Sequence, residues 1–195
     1  MRTVSFDRDQ ALSDAMDVFW EKGFTDASIE DLTSATGLHR SSLYNTFVGK
    51  RELFLAALAR YHERCSSQHW ALAHDENPVR AIRDLVQTIL SDELDDSRGM
   101  GCLVANAALE FSGRDPEVRA LTSANLTEMS EAIASAVTRG QSLSLLSEAI
   151  DATAVARSIV TTIQGLRVIA KALSGEDRID WLSDATESCL RCLQR

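Results

Sequence analysis

The sequence predicts an all-α fold of about nine helices, and three observations carry that expectation. Apolar residues recur at helical spacing along most of the chain. Only two prolines and nine glycines occur in 195 residues, and long stretches lack both, so little interrupts a helix. No segment shows the alternation of a half-buried strand. The expected arrangement is an N-terminal three-helix domain built around a helix-turn-helix, followed by a C-terminal helical bundle.

The elements can be justified in order. In the first helix Leu12, Ala15, Met16 and Phe19 share one face, with Asp7, Asp14, Asp17 and Glu21 mostly on the other. Gly23 is expected to stop this helix as a C-terminal cap. Ser28 and Asp31 form a capping-box pattern that opens a short second helix ending near Gly37. A third short helix runs from about His39 to Phe47, and a longer fourth begins near Lys50 and passes through Leu53, Phe54, Ala57, Leu58 and Tyr61. Asn77-Pro78 and Asp115-Pro116 each pair a capping residue with proline at the first helical position, which predicts helices over about 78–94 and 116–139, the second closed by Gly140. Between them Arg98-Gly99-Met100-Gly101-Cys102 reads as a hinge leading into Leu103–Phe111. An apolar segment from Ala149 to Leu173 ends at Gly175, and a last helix covers about 178–194. The domain boundary is expected at residue 50: residues 1–50 form the helix-turn-helix domain, the fourth helix links the parts, and 51–195 form the rest.

Composition narrows the function. Hydrophobic residues at 45% and charged residues at 25% suit a globular chain with a sizeable core. The N-terminal decapeptide has no apolar core for a signal peptide, and no run is long enough to span a membrane. Four cysteines without a secretory signal point to reduced thiols in a cytoplasm. A net charge of −9 argues against indiscriminate nucleic-acid binding, yet Gly37–Arg51 carries Arg40, Lys50, Arg51 and His39 and no acid. No GxGxxG, phosphate loop or HExxH occurs, and charged residues scatter along helix faces, so the expectation is not an enzyme and no cofactor.

The informative geometry is helix, tight turn at Gly37, helix, within the first fifty residues, which is how helix-turn-helix proteins seat a second helix in the major groove. Leu43 and Phe47 face the small core, leaving His39, Arg40, Ser41, Ser42, Tyr44 and Asn45 outward as donors and acceptors for base edges and phosphates. A structural helical corner has the same pattern. Gly23-Phe24, Ile29 to Gly37-Leu38, Tyr44-x-x-Phe47 and Lys50-x-x-Leu53, in that order and spacing, resemble the DNA-binding domain of the tetracycline-repressor (TetR) family over its full length. The resemblance implies a regulator, a repressor by the family's habit, binding double-stranded operator DNA as a homodimer and responding to a small effector. It implies that Ser28, Tyr44, Asn45 and Lys50 meet phosphates, and that His39, Arg40 and Ser42 read bases. Thr33, Asn45 and Gly49 depart from the usual alanine, histidine and serine, which leaves the operator sequence open.

The tail from Thr161 to Leu193 is similar to the last two helices of many family members, which pair with their copies in a four-helix dimer interface. Ala152, Ala156, Ile159, Ile163, Leu166, Ala170 and Leu173, widened by Val155 and Val160, make one stripe, and Ile179, Leu182, Ala185, Cys189 and Leu193 another. Ile159, Ile163, Leu166, Leu182, Cys189 and Leu193 are thus expected at the dimer interface, the other reading of the same stripes being intramolecular core. The effector pocket is expected among the helices from Asn77 to Arg139, with Trp70, Cys102, Asn106, Glu110, Phe111 and Met129 as candidate lining and an apolar or electrophilic ligand. Gly101-Cys102-Leu103-x-x-Asn106-x-x-x-Glu110 resembles a subgroup in which some members sense electrophiles through the cysteine. Arg98 and the helix N-terminus would favour its thiolate; a small buried hydrophobe is the other reading. His62, Cys65 and His69 share a face of the fourth helix and are a weak metal candidate. Cys189-x-x-Cys192 lies within a helix, where it reads as packing.

Overall fold

The computed structural model describes residues 7–95 and 99–193. Among them lie nine α-helices and no strand: α1 Arg8–Asp26, α2 Ile29–Thr36, α3 Arg40–Phe47, α4 Lys50–His74, α5 Pro78–Asp95, α6 Leu103–Phe111, α7 Pro116–Ser142, α8 Ala152–Ala172 and α9 Gly175–Leu190, with a last 3₁₀ turn over Arg191–Leu193. No helix among the described residues is long and apolar enough to cross a membrane.

Local chemistry explains most boundaries. Asp7 caps α1 by accepting the N–H groups of Asp9 and Gln10. Ser28 and Asp31 close a complete capping box, and Gly37 leaves α2 in the left-handed conformation that a side chain would resist. Asn77 accepts from the Arg80 N–H, Asp115 from those of Glu117 and Val118, and Asp151 from that of Ala154, so each starts its helix as an N-cap. One expectation holds with an addition and one needs correction. Gly23, at φ 78° and ψ 177°, ends the regular helix as expected, and a short further helical stretch follows to Asp26. Gly140 does not close α7, which runs on to Ser142.

The chain divides into two compact units. One holds the residues up to Arg64 together with Leu103–Thr122; the other holds Cys65–Cys102 and the residues from Ser123 onward. This division differs from a cut at residue 50, since α6 and the start of α7 pack with the first four helices. The first unit is built on Ala15, Phe19, Leu32, Leu43, Leu53, Phe54 and Leu58, all buried. Its aromatic centre runs from Phe19 to Phe54 (ring centroids 5.0 Å apart), then to Phe24 and Phe111 at 5.2 and 5.4 Å from Phe54. Arg51 adds a polar tie, its guanidinium donating to both Asp115 oxygens and to Glu117.

The second unit buries Ile82, Val86, Ile133, Ala136, Val137, Ala156, Ile159 and Ile163 in one cluster, and Leu166, Ala170 and Leu182 in another. Leu193 belongs to the first cluster and Cys189 packs against it half-buried. The stripes expected to meet a partner are therefore consumed within the chain: Ile159, Ile163, Leu166, Leu182 and Leu193 are its own core. What α8 and α9 leave exposed is another set, with Gly165, Val168 (47%) and Trp181 (60%) among it. Glu93 is buried beside Arg167, whose Nε stands 3.6 Å from Oε1, and its carbonyl accepts from Arg178.

Candidate nucleic-acid interface

The site is carried by α3. Its apolar pair Leu43 and Phe47 is buried, which fixes the helix and turns the remaining side chains out. His39, Arg40, Ser41, Tyr44 and Asn45 are exposed and Ser42 is half-buried. The Arg40 guanidinium lies 5.9 Å from the Tyr44 ring centroid, a loose cation–π pair that keeps both groups on the outward surface. Arg8, from α1, stands 5.4 Å over the Phe47 ring and adds a second cation to this neighbourhood.

The exit from α3 is strained. Val48 has φ 66° and ψ −47°, and the Gly49 N–H donates back to the Phe47 carbonyl at 2.7 Å. That is a γ-turn of the rarer hand, costly for a β-branched residue. It leaves the isopropyl group 76% exposed beside the candidate interface. Nothing in the sequence pattern signals it, because valine is a poor turn residue. A strained, exposed apolar residue at a candidate site is a functional candidate in its own right.

Lys50 opens α4. Its ammonium donates to the Thr25 carbonyl at 3.2 Å and sits 4.7 Å over the Phe24 ring, and a three-donor group retains capacity for a phosphate. Ser28 behaves differently. Its N–H and hydroxyl both donate to Asp31 Oδ2, at 2.9 and 2.8 Å, while the hydroxyl oxygen accepts from the Asp31 N–H. Both donors are spent inside the capping box, so Ser28 serves to hold α2. Asp31 itself, bonded first to Lys22 and then to Ser28, is held well below the usual carboxylate range.

The six candidate pocket residues fall in both units. Asn106, Glu110 and Phe111 belong to the first unit, Trp70, Cys102 and Met129 to the second. Glu110 bonds the backbone of Phe24 and Thr25, and Phe111 stacks in the aromatic centre. Trp70 is 65% exposed and stacked on His74, whereas Met129 is core. Cys102 is 2% exposed, and reactive thiols need access, so its ground state suits a small hydrophobe. Arg98, expected beside it, lies outside the described residues; the Gly101 backbone has Lys171 close by instead. A groove of about 620 Å³ between α7 and α8, lined by Leu126, Glu131, Arg157 and Thr161 among others, includes none of the six.

No group of three His, Cys, Asp or Glu among the described residues is placed to hold a metal. His62, Cys65 and His69 are thus not assembled as ligands, and the His69 Nδ1 stands 3.9 Å from Glu128. Cys192 donates to the Cys189 carbonyl at 2.9 Å, and burial raises both thiols above the ordinary range.

Comparison with known proteins agrees with this geometry. The family model described as bacterial regulatory proteins of the tetR family matches residues 11–57, and that of the tetracyclin repressor-like C-terminal domain matches 78–186. The HTH-type transcriptional regulator YezE of Bacillus subtilis (strain 168) is 31% identical over 97% of this chain and 98% of its own length. The HTH-type transcriptional repressor ComR of Escherichia coli (strain K12) is 25% identical over 95% of this chain and 89% of its own. Among solved structures, a cysteine mutant of the TetR-family regulator CifR in complex with 26 bp of double-strand operator DNA superposes with a TM-score of 0.81. It has 30% identity over 98% of each chain. These relatives are transcriptional regulators, not enzymes.

Proposed function

The chain belongs to the TetR family of DNA-binding transcriptional regulators, and on that premise we propose that it is a dimeric repressor that binds a pseudo-palindromic operator and is released by a small effector. The observation that carries the reading is α3: a short helix held by two buried apolar residues and presenting His39, Arg40, Ser41, Tyr44 and Asn45 outward. In this assignment Arg40, His39 and Ser42 read bases. Tyr44, Asn45 and Lys50 hold phosphates, and Ser28 keeps α2 in place behind them. Support for repression comes from ComR, which is described as a repressor. Support for operator binding comes from CifR, whose 26 bp duplex is long enough for two half-sites one helical turn apart.

The DNA-reading part is assigned to residues 1–50, with α4 as the link, and effector uptake and dimerisation to the remainder. An apolar or electrophilic ligand would be taken up by the helices of the second unit, which the C-terminal family model covers. The exposed faces of α8 and α9 are the dimer surface, with Gly165 admitting close approach and Val168 and Trp181 supplying apolar area. The regulator would act in a bacterial cytoplasm.

An anisotropy titration tests the reading with a duplex selected from a random pool by the parent chain. Tyr44→Ala and Lys50→Ala should weaken binding to every duplex and flatten the salt dependence, while Arg40→Ala should change which duplex is preferred. Parent-like binding by both phosphate variants would refute the placement. Light scattering should give twice the chain mass for the parent and the single chain mass for Val168→Glu, since a charge buried in an interface lacks a partner. A parent that stays monomeric at micromolar concentration would refute the dimer.

A further inference from the structure

The geometry points to Glu110 as a positioning residue for operator binding: it fixes Thr25, against which Lys50 is braced, and so sets where Lys50 meets its phosphate. This inference rests on the assignment of Lys50 to a phosphate.

The carboxylate reaches from α6 across 85 residues of sequence to the break in α1. Oε2 accepts the Phe24 N–H at 2.8 Å and Oε1 the Thr25 N–H at 2.6 Å. Gly23 makes the approach possible. A Cβ there would stand 3.0 Å from Oε2, and φ 78° with ψ 177° is a backbone conformation essentially confined to glycine. The opposite side of Thr25 is held as well, because its carbonyl accepts from Lys50 Nζ. A carboxylate on the N–H and an ammonium on the C=O thus grip one residue between α6 and α4. Burial alone would raise the Glu110 carboxyl, but the Thr25 and Phe24 bonds and the charge of Lys50 hold it below the ordinary range, so it is ionised at neutral pH.

A purely architectural need would be met more simply. The gap beside the helix break could be filled by an apolar side chain and the two N–H groups left to water, since Thr25 is exposed. The chain instead places an acid within reach of a lysine assigned to DNA. An acid near phosphate opposes binding by charge alone, so its presence is useful only if the order it imposes on Lys50 outweighs the repulsion. That contrast gives the test its sign.

The parent, Glu110→Gln, Lys50→Ala and the double variant are titrated against the selected duplex over a range of salt, with circular dichroism confirming the fold. Glu110→Gln removes a negative charge and still is expected to bind about tenfold more weakly, with a salt slope shallower by about one unit, as for Lys50→Ala. In the Lys50→Ala background the same change is expected to cost no more than about twofold. If Glu110→Gln does not fold, Glu110→Asp, which keeps the charge with a shorter reach, takes its place in the cycle. Parent-like or tighter binding by the Glu110 variant overturns the inference. So does an equal loss in both backgrounds, which would mark a general destabilisation. A Lys50→Ala variant that binds like the parent overturns the inference through its premise, and that result is distinguishable because it does not involve Glu110.

Discussion

Replacing Phe111 by Ala separates an anchor from a pocket wall. The sequence places Phe111 in the effector pocket; the structure puts its ring 5.2 Å from Phe24 and 5.4 Å from Phe54, stacked on the latter at 15°. Removing a fully buried phenyl ring costs about 3–5 kcal/mol, and each aromatic pair contributes about 0.5–1.5 kcal/mol beyond its area. Phe111 is only half-buried, so about 2–3 kcal/mol is the reasonable loss for this position. For a chain of this length that corresponds to a fall in Tm of roughly 4–12 °C. Differential scanning calorimetry reads it directly. Phe111→Leu, which keeps most of the volume, should lose less than about 1.5 kcal/mol. A Tm for Phe111→Ala within about 1 °C of the parent would refute the anchoring argument and return the residue to the pocket.

Three further outcomes follow from particular geometries. Val48→Gly should relieve the γ-turn and raise stability by roughly 1 kcal/mol, read by urea denaturation; a loss of stability would mean that the valine side chain is held by contacts that outweigh its backbone strain. Asp31, Glu110 and Asp115 all have lowered pKa values in the folded chain, so their contribution is present above the ordinary carboxylate range and lost as pH falls through the folded values. The first unit should therefore weaken progressively below about pH 4, and a far-ultraviolet melt at pH 3 that matches the one at pH 6 would contradict this. N-ethylmaleimide should label exposed Cys192 before buried Cys102, with the Cys192 rate still climbing above the pH range of an ordinary thiol because its thiol is shifted upward. Labelling of Cys102 first, accompanied by operator release that Cys102→Ser abolishes, would instead establish the cysteine as a chemical sensor.

The reading unit was legible wherever its determinants are local. Ser28 with Asp31, Gly37, and Leu43 with Phe47 each act within four residues, so sequence spacing alone defines α2, the turn and α3. Asn77-Pro78 and Asp115-Pro116 fixed two helix starts for the same reason. The apolar stripes of α8 and α9 were visible but not assignable, because periodicity reports that a face is buried and not what buries it. Ile159, Ile163 and Leu166 turned out to be covered by their own chain, and the exposed remainder at Gly165, Val168 and Trp181 has too little periodic apolar character to stand out. Val48 was invisible because its conformation opposes its propensity.

Glu110 and Phe111 show the other limit. Their partners Phe24, Thr25 and Phe54 lie more than fifty residues away, and neither residue carries a local pattern that names such a partner. The consequence reaches the effector argument. The chain leaves the second unit at Cys102 and enters the first at Leu103, and α6 is a nine-residue helix, a rod of about 13 Å. Its far end is tied to the Gly23 break by two hydrogen bonds and a tilted ring contact between Phe111 and Phe24. A substitution that displaces Cys102 thus acts on the residue before a helix whose Glu110 carboxylate holds the backbone next to Lys50. On this argument Cys102 matters through its place at the start of α6, whether or not its sulfur reacts, and Cys102→Trp, which forces the junction apart by bulk alone, should weaken operator binding without any effector. Parent-like operator affinity in a folded Cys102→Trp variant would show that α6 does not carry the signal.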